Sequence, residues 1–245
     1  MEESIWYDNM KIKLVTSYNQ KLFDQYAHRF EKTYNWPFEK VVYNEDEGMF
    51  DLIPDLKSFV ERNKNRPINK HKGFLLDGVR FSYKVYAYTH AILNSNDYDG
   101  LIWIDSDSVF YEPIDVDWIK EHIHRDDRMV TYLGRGSQYS ECGFLYFNLK
   151  HPKVKLFASE LKRMYDENLI YNEIEYHDSY IFDVVRKRFE REENVYNHNI
   201  GDGRKAHVQA RSILGTVYDH TKGNRKERGV STEWLIANKK RGRNG

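Results

Sequence analysis

The sequence predicts an α/β fold with a central, mainly parallel mixed sheet flanked by helices, and three observations carry that prediction. The chain opens as strand, helix, strand: residues 11–18 (KIKLVTSY), an apolar helical spacing across 21–34, then residues 38–43 (FEKVVY). An unbroken apolar run at 101–104 has the composition of a strand buried on both faces. Strand and helix patterns go on alternating after it, which favours crossovers through helices over a meander of hairpins. With 245 residues the chain is long enough for a substantial core, and a single domain over 1–245 is expected, with 230–245 as a peripheral C-terminal tail.

The elements follow in order. After a short leader and the first strand, Leu22, Phe23, Tyr26, Ala27 and Phe30 give the first helix its apolar face, and Trp36 and Pro37 end it. Residues 44–69 are polar and mixed; Leu52, Ile53, Leu56, Phe59 and Val60 suit one short helix, with a loop over 62–69. A helix over 78–93 turns Val79, Tyr83, Tyr86, Ala87, Ala91 and Ile92 to the sheet and carries Arg80 and Lys84 one turn apart. The breaker cluster 94–100 (NSNDYDG) precedes the strand at 101–104. A short helix is expected at 116–122, strands at 129–133 and 143–148 around a glycine-containing loop over 134–141, and helices at 153–167 and 180–189. Residues 195–200 and 207–218 are expected to supply one or two closing strands, and Lys239, Lys240, Arg241 and Arg243 a solvated end.

Composition excludes several classes. Thirty-eight Lys and Arg balance 38 Asp and Glu, which gives no general attraction to nucleic acid or to an anionic membrane. Cys142 is the one cysteine, so there is no intrachain disulfide framework and no zinc-finger spacing. No apolar run approaches the length of a transmembrane helix, and the charged N-terminus lacks the apolar segment of a secretion signal, so a soluble, intracellular (cytoplasmic) protein is expected. Neither a G-x-x-x-x-G-K-[ST] loop nor a glycine fingerprint after the first strand is present.

The chemistry concentrates at two places. The strand at 101–104 stops at Asp105, Ser106, Asp107 and Ser108, placing two carboxylates where a core strand reaches solvent. Such a pair either shapes a turn or holds a divalent cation against a phosphate. Far along the chain, His220, Gly223 and Lys226 form an H-x-x-G-x-x-K pattern: a candidate third ligand, a residue that lets the backbone fold around an anion, and a cation to face it. Lys222 and Arg225 compete for the last role. Asp178, at a helix start, has N-capping as its competing role.

On these residues, I-D-S-D-S at 104–108 and H-T-K-G-N-R-K at 220–226, the chain resembles the nucleotide-diphospho-sugar transferases of the GT-A fold, in particular the retaining glycogenin and lipopolysaccharide galactosyltransferase type. That group continues its second motif with Pro-Trp, where this chain has Glu227 and Arg228. The likeness spans about 11–226. It implies Mn2+ (or Mg2+) on Asp105, Asp107 and His220, with Lys226 on the phosphates and Gly223 beside it. It also implies contacts of Thr16, Ser17 and Tyr18 with base and ribose, of Asp105 and Ser106 with the nucleotide, and of Asp77, Arg80 and Lys84 with the donor. Glu141, Cys142 and Gly143 would line the sugar or acceptor pocket, and His177 and Asp178 would approach the transferred sugar.

The activity so implied is sugar transfer from a nucleoside diphosphate donor, with uridine favoured, to a hydroxyl of a glycan, lipid or protein, with retention. An inverting enzyme would instead need Asp178 or Glu141 as general base. Rival readings are a sugar-phosphate nucleotidyltransferase and a non-catalytic carbohydrate- or nucleic-acid-binding module built on the 19 tyrosines and the basic end.

Overall fold

The computed structural model describes residues 10–46, 48–67, 73–204 and 207–242. The leader, the end of the loop expected at 62–69, and Arg243 lie outside the described residues. β1 (Ile12–Tyr18) is followed by α1 (Gln20–Leu22), a π-helical turn (Phe23–Ala27), α2 (His28–Thr33), β2 (Glu39–Asn44), α3 (Met49–Leu52) and α4 (Pro54–Asn63). A 3-10 turn (Gly73–Leu76) leads to α5 (Gly78–Asn94), β3 (Gly100–Ile104), β4 (Ser108–Phe110), α6 (Val116–His122), β5 (Val130–Arg135) and β6 (Gln138–Asn148). Then come α7 (Val154–Asp166), a 3-10 turn (Leu169–Asn172), α8 (Asp178–Glu192), β7 (His198–Asn199), α9 (Val208–Arg211), a 3-10 turn (Ile213–Thr216), β8 (Tyr218–His220), α10 (Arg225–Arg228) and α11 (Thr232–Arg241).

Among the described residues, six strands form one sheet in the order β2-β1-β3-β6-β5-β7, and β4 pairs with β8 in a separate ribbon. The β1–β2, β1–β3 and β5–β7 pairs are parallel, while β6 runs antiparallel to both of its neighbours. The result is the expected α/β architecture, a mixed and mainly parallel sheet between helices, consistent with a GT-A, Rossmann-like fold. Alternation along each strand feeds two cores. Val15, Leu101, Trp103, Leu145 and Phe147 face the side packed by α4, α5, α7 and α8. Leu14, Ile102, Ile104, Phe144 and Tyr146 face the opposite side, with Phe30, Ile119, Val208, Leu214 and Tyr218. β3 is buried at every position, as its continuous apolar run requires.

Local differences from the sequence expectation have physical causes. The region at 44–69 holds two helices because Pro54, which has no N–H to donate to a preceding turn, starts α4 afresh. The loop expected at 134–141 is a tight hairpin: Gly136 takes a left-handed φ of 61°, and β6 begins at Gln138. Residues 207–218 give α9 and a 3-10 turn before β8, where closing strands were expected. Residues 230–245 carry α11, capped by Ser231 and tied to the body where Arg241 Nη2 donates to Ser212 O (2.8 Å) and Asn238 Nδ2 to Gly215 O (3.1 Å). No helix among the described residues is long and apolar enough to cross a membrane.

Gly100 opens β3 under the ring of Tyr146, whose OH is 2.7 Å from His124 Nδ1. A Cβ at Gly100 would stand 2.6 Å from the Tyr146 OH and 2.7 Å from a ring carbon. Because the ring is buried and pinned at its hydroxyl, Gly100→Ala should lower stability by about 1–3 kcal/mol, read as a lower urea midpoint with unchanged slope.

Candidate active site

The candidate ligands are brought together by backbone pairing across the length of the chain. Beyond the end of β3, Asp105 N still donates to Gly143 O at 3.0 Å, so the β3–β6 ladder fixes Asp105. The chain then turns and re-enters as β4, which sets Ser108 opposite His220, Val109 opposite Asp219 and Phe110 opposite Tyr218. Thr221 closes this ribbon by donating both its N–H (2.8 Å) and its Oγ1–H (2.7 Å) to Asp107 O.

His220 Nε2 therefore lies 3.0 Å from Asp107 Oδ1 and 3.7 Å from Asp105 Oδ2. One ligand atom from each of the three falls within 4.8 Å of the others. The His220 ring occupies the space where residue 143 would carry a side chain: a Cβ on Gly143 would be 2.3 Å from Cε1 and 2.4 Å from Nδ1. Lys226 Nζ takes the other oxygen of Asp107 at 3.0 Å and stands 4.1 Å from the centre of the Tyr26 ring. Gly223, with φ at +64°, makes the turn that returns Lys226 to the site.

A second set of charges flanks the first. Lys84, from α5, is 2.7 Å from Asp105 Oδ1 and 2.8 Å from Asp178 Oδ2, and it donates to Cys142 O at 2.7 Å. Trp103 Nε1 donates to the same Asp105 oxygen at 2.7 Å. On the other side Glu141 pairs with Lys222 and, at 3.6 Å, with Arg135, while its Oε1 is 3.8 Å from His220 Nδ1. Burial disfavours charge on Lys84, Asp107, Glu141, Asp178 and His220, yet the pairing outweighs it. His220 and Lys226 hold Asp107 below its ordinary value, and Lys84, ahead of His177, does the same for Asp178. Lys222, His220 and Arg135 lower Glu141 to about 2. Asp107, with Glu141 and Asp105, raises His220, and Asp105 and Asp178 raise Lys84.

These groups line one cavity of about 930 Å³ along the rim of the sheet, within the ordinary range of small-molecule and cofactor sites. Ser17, Arg80, Lys84, Asp105, Ser106, Asp107, Glu141, Gly143, His177, Asp178, His220, Gly223 and Lys226 all contribute to its wall. Thr16, Tyr18, Asp77 and Cys142 do not. Thr16 is buried in β1, the Tyr18 hydroxyl donates to Glu31 at 2.8 Å, and Asp77 caps α5 by accepting from Arg80 N at 3.1 Å. Asp178, for which capping competed, begins α8 with its side chain on Lys84.

Two carboxylates and an imidazole with convergent donor atoms fit a divalent cation. The nitrogen ligand suits Mn2+ better than Mg2+, which prefers an all-oxygen shell. When bound, such an ion would supply Lewis-acid neutralisation of a negatively charged ligand.

Sequence reading missed Arg135, Tyr139, Tyr26 and Glu45 in the cavity wall. It also missed Asp183, whose carboxylate accepts from Ser140 N (2.9 Å) and Oγ (2.7 Å) and from Arg186 Nε (3.0 Å), anchoring the start of β6 to α8. The acidic i, i+3 pairing of Asp183 with Arg186 was the available signal, but it also describes any solvated helix face.

No protein-family model matches the chain, and no curated protein matches it in sequence. Solved structures similar to it include a glycosyltransferase involved in the glycosylation of the major capsid of PBCV-1, with TM-score 0.49 and 11% identity over 89% of this chain and 98% of that one. The bifunctional glycosyltransferase WbbM gives TM-score 0.48 and 13% identity over 95% of this chain, which spans 45% of WbbM. The galactosyltransferase LgtC, in complex with donor and acceptor sugar analogs, gives TM-score 0.44 and 13% identity over 92% and 99% of the two chains. With all of these TM-scores below 0.5, the site has to be read from its own residues.

Two substitutions test the site's construction. Gly143→Ala should push the His220 ring away from Asp107 and, like His220→Ala, should abolish stabilisation by Mn2+ in a thermal-shift titration while circular dichroism shows the fold retained. Lys84→Met leaves Asp105 and Asp178 facing each other without their cation and should cost about 3–5 kcal/mol in urea unfolding.

Proposed function

We propose that the chain is a metal-dependent glycosyltransferase that moves a sugar from a nucleoside diphosphate donor, with uridine as its nucleoside, to a hydroxyl acceptor with retention of configuration. The observation that carries this reading is the meeting of His220 with Asp105 and Asp107 in a cavity that also holds Lys226, Lys222 and Arg80. A cation site surrounded by fixed positive side chains suits a diphosphate better than a neutral or cationic ligand.

The order of groups along the rim supports the assignment of parts. Ser17, from the end of β1, lines the side taken for the nucleoside. Asp105, Asp107, His220 and Lys226 lie where the diphosphate would sit, and Asp178 and Glu141 lie beyond, toward the transferred sugar. Lys226, already 3.0 Å from Asp107, and Arg80 are the chain's own groups for the charge that grows on the departing diphosphate. In the retaining reaction the acceptor oxygen bonds to the anomeric carbon as the carbon–phosphate oxygen bond breaks, and the acceptor's proton ends on the leaving diphosphate.

Retention is supported by the ion pairing of both acids. Glu141 carries Lys222 and Arg135, and Asp178 carries Lys84 at 2.8 Å, so neither is poised to accept a proton as an inverting mechanism requires.

The test is direct. With Mn2+ and an array of nucleoside diphosphate sugars, the protein should release nucleoside diphosphate, and Asp107→Asn should lower that rate roughly 100-fold or more. Release of pyrophosphate would identify a nucleotidyltransferase instead. Absence of any Mn2+-dependent thermal shift across the nucleotides would remove the reading altogether.

A further inference from the structure

One part of the cavity wall has no place in donor binding. Among the described lining residues, Phe74 is a large apolar side chain left half exposed, at 50%, in a wall otherwise rich in charged groups. Its place is built rather than incidental. Phe74 lies in the 3-10 turn Gly73–Leu76, where Phe74 O accepts from Asp77 N (3.2 Å) and Leu75 O accepts from Tyr176 N (3.1 Å). The turn is thus tied to the segment that leads into α8.

The ring is held from the side. Its centroid is 6.3 Å from that of Phe81 and 6.0 Å from that of His177, at interplanar angles of 65° in both cases. Phe81 and His177 are themselves 6.0 Å apart, and Tyr139 packs against His177 at 4.3 Å. His177 is fixed in turn, with Nε2 3.0 Å from Glu175 Oε2. The packing orients Phe74 without covering it.

Hydrogen-bonding groups stand beside this aromatic cluster. Arg135, which lies over the Tyr139 ring at 4.6 Å, lines the same cavity with Tyr139, Glu141, Asp178 and Lys222. An apolar ring face next to a rim of charged donors and acceptors matches a pyranose, which presents C–H groups on its face and hydroxyls around its edge. A lipid chain would need a continuous apolar track, whereas charged side chains such as Arg80, Arg135, Glu141 and Asp178 share this wall with the rings.

We propose that Phe74, backed by Phe81 and His177, is a stacking platform for a saccharide acceptor, so that the acceptor hydroxyl belongs to a glycan. Its position fits: the rim runs from Ser17 on β1 past Asp105 after β3 to Tyr139 on β6, and Tyr139 and His177 stand at the end away from β1. The assignment of the ligand as acceptor rests on the donor reading above; the saccharide platform itself does not.

The experiment uses the full chain and two independent readouts: NMR titration with lactose, maltose and cellobiose, and the thermal shift produced by UDP with Mn2+. At least one disaccharide should bind. Phe74→Ala and Phe74→Leu should each weaken it roughly tenfold, and Phe74→Tyr should keep it, because only an aromatic face is required. The UDP–Mn2+ shift should be the same in all four proteins. Failure of every disaccharide to bind, or binding unchanged in Phe74→Ala, overturns the platform. So does Phe74-dependent binding of a serine-containing peptide or of phosphatidylglycerol vesicles in their place. Phe74-dependent disaccharide binding without any UDP–Mn2+ shift supports the platform and removes the donor reading alone.

Discussion

The site depends on the short ribbon in which β4 and β8 pair. Three residues on each strand, closed by two hydrogen bonds from Thr221 to Asp107 O, hold His220 against carboxylates more than one hundred positions earlier. Without that ribbon Asp105 and Asp107 would be two acids on an exposed turn, which is a common arrangement with no special chemistry. With it, three ligand groups, two lysines and a buried wall occupy one place.

Around that junction the charges are arranged in alternation. Lys84 lies between Asp105 and Asp178, Lys226 bears on Asp107, and Glu141 is shared by Lys222, Arg135 and the far nitrogen of His220. Removing charges from water is costly, and each pair compensates its neighbours only while the geometry holds. Such a network favours a rigid rim, whose fixed groups can meet the charge of a ligand without first reorganising.

Much of this was legible in the sequence, for reasons specific to particular residues. The run at 101–104, bounded by breakers, reads as a strand buried on both faces, and α5 and α7 have apolar spacings long enough to be read as helices. Asp105, Asp107, His220 and Lys226 were identifiable because their types and spacing suit a cation and a phosphate. What stayed hidden lies below the length at which a pattern forms: β4 and β8 have three residues each, and β7 has two. The hairpin that places Arg135, Tyr139 and Glu141 turns on Gly136, whose left-handed backbone is visible only in the fold. The Tyr18 hydroxyl is taken by Glu31, 13 positions away, and local sequence does not record that.

The pairing of β4 with β8 also bears on how the protein is made. The carboxylates emerge from the ribosome long before their imidazole, and the contacts that join them are among the most distant in the chain, with Asp107 and Thr221 separated by 114 positions. The sheet from β1 through β6 can collapse while synthesis continues, but the ligand cluster cannot exist until residue 221 has been added and the last strand has found its place. A cation held by this cluster would therefore be captured late in biogenesis, and a nascent chain interrupted before β8 would carry the two acids without the imidazole that meets them.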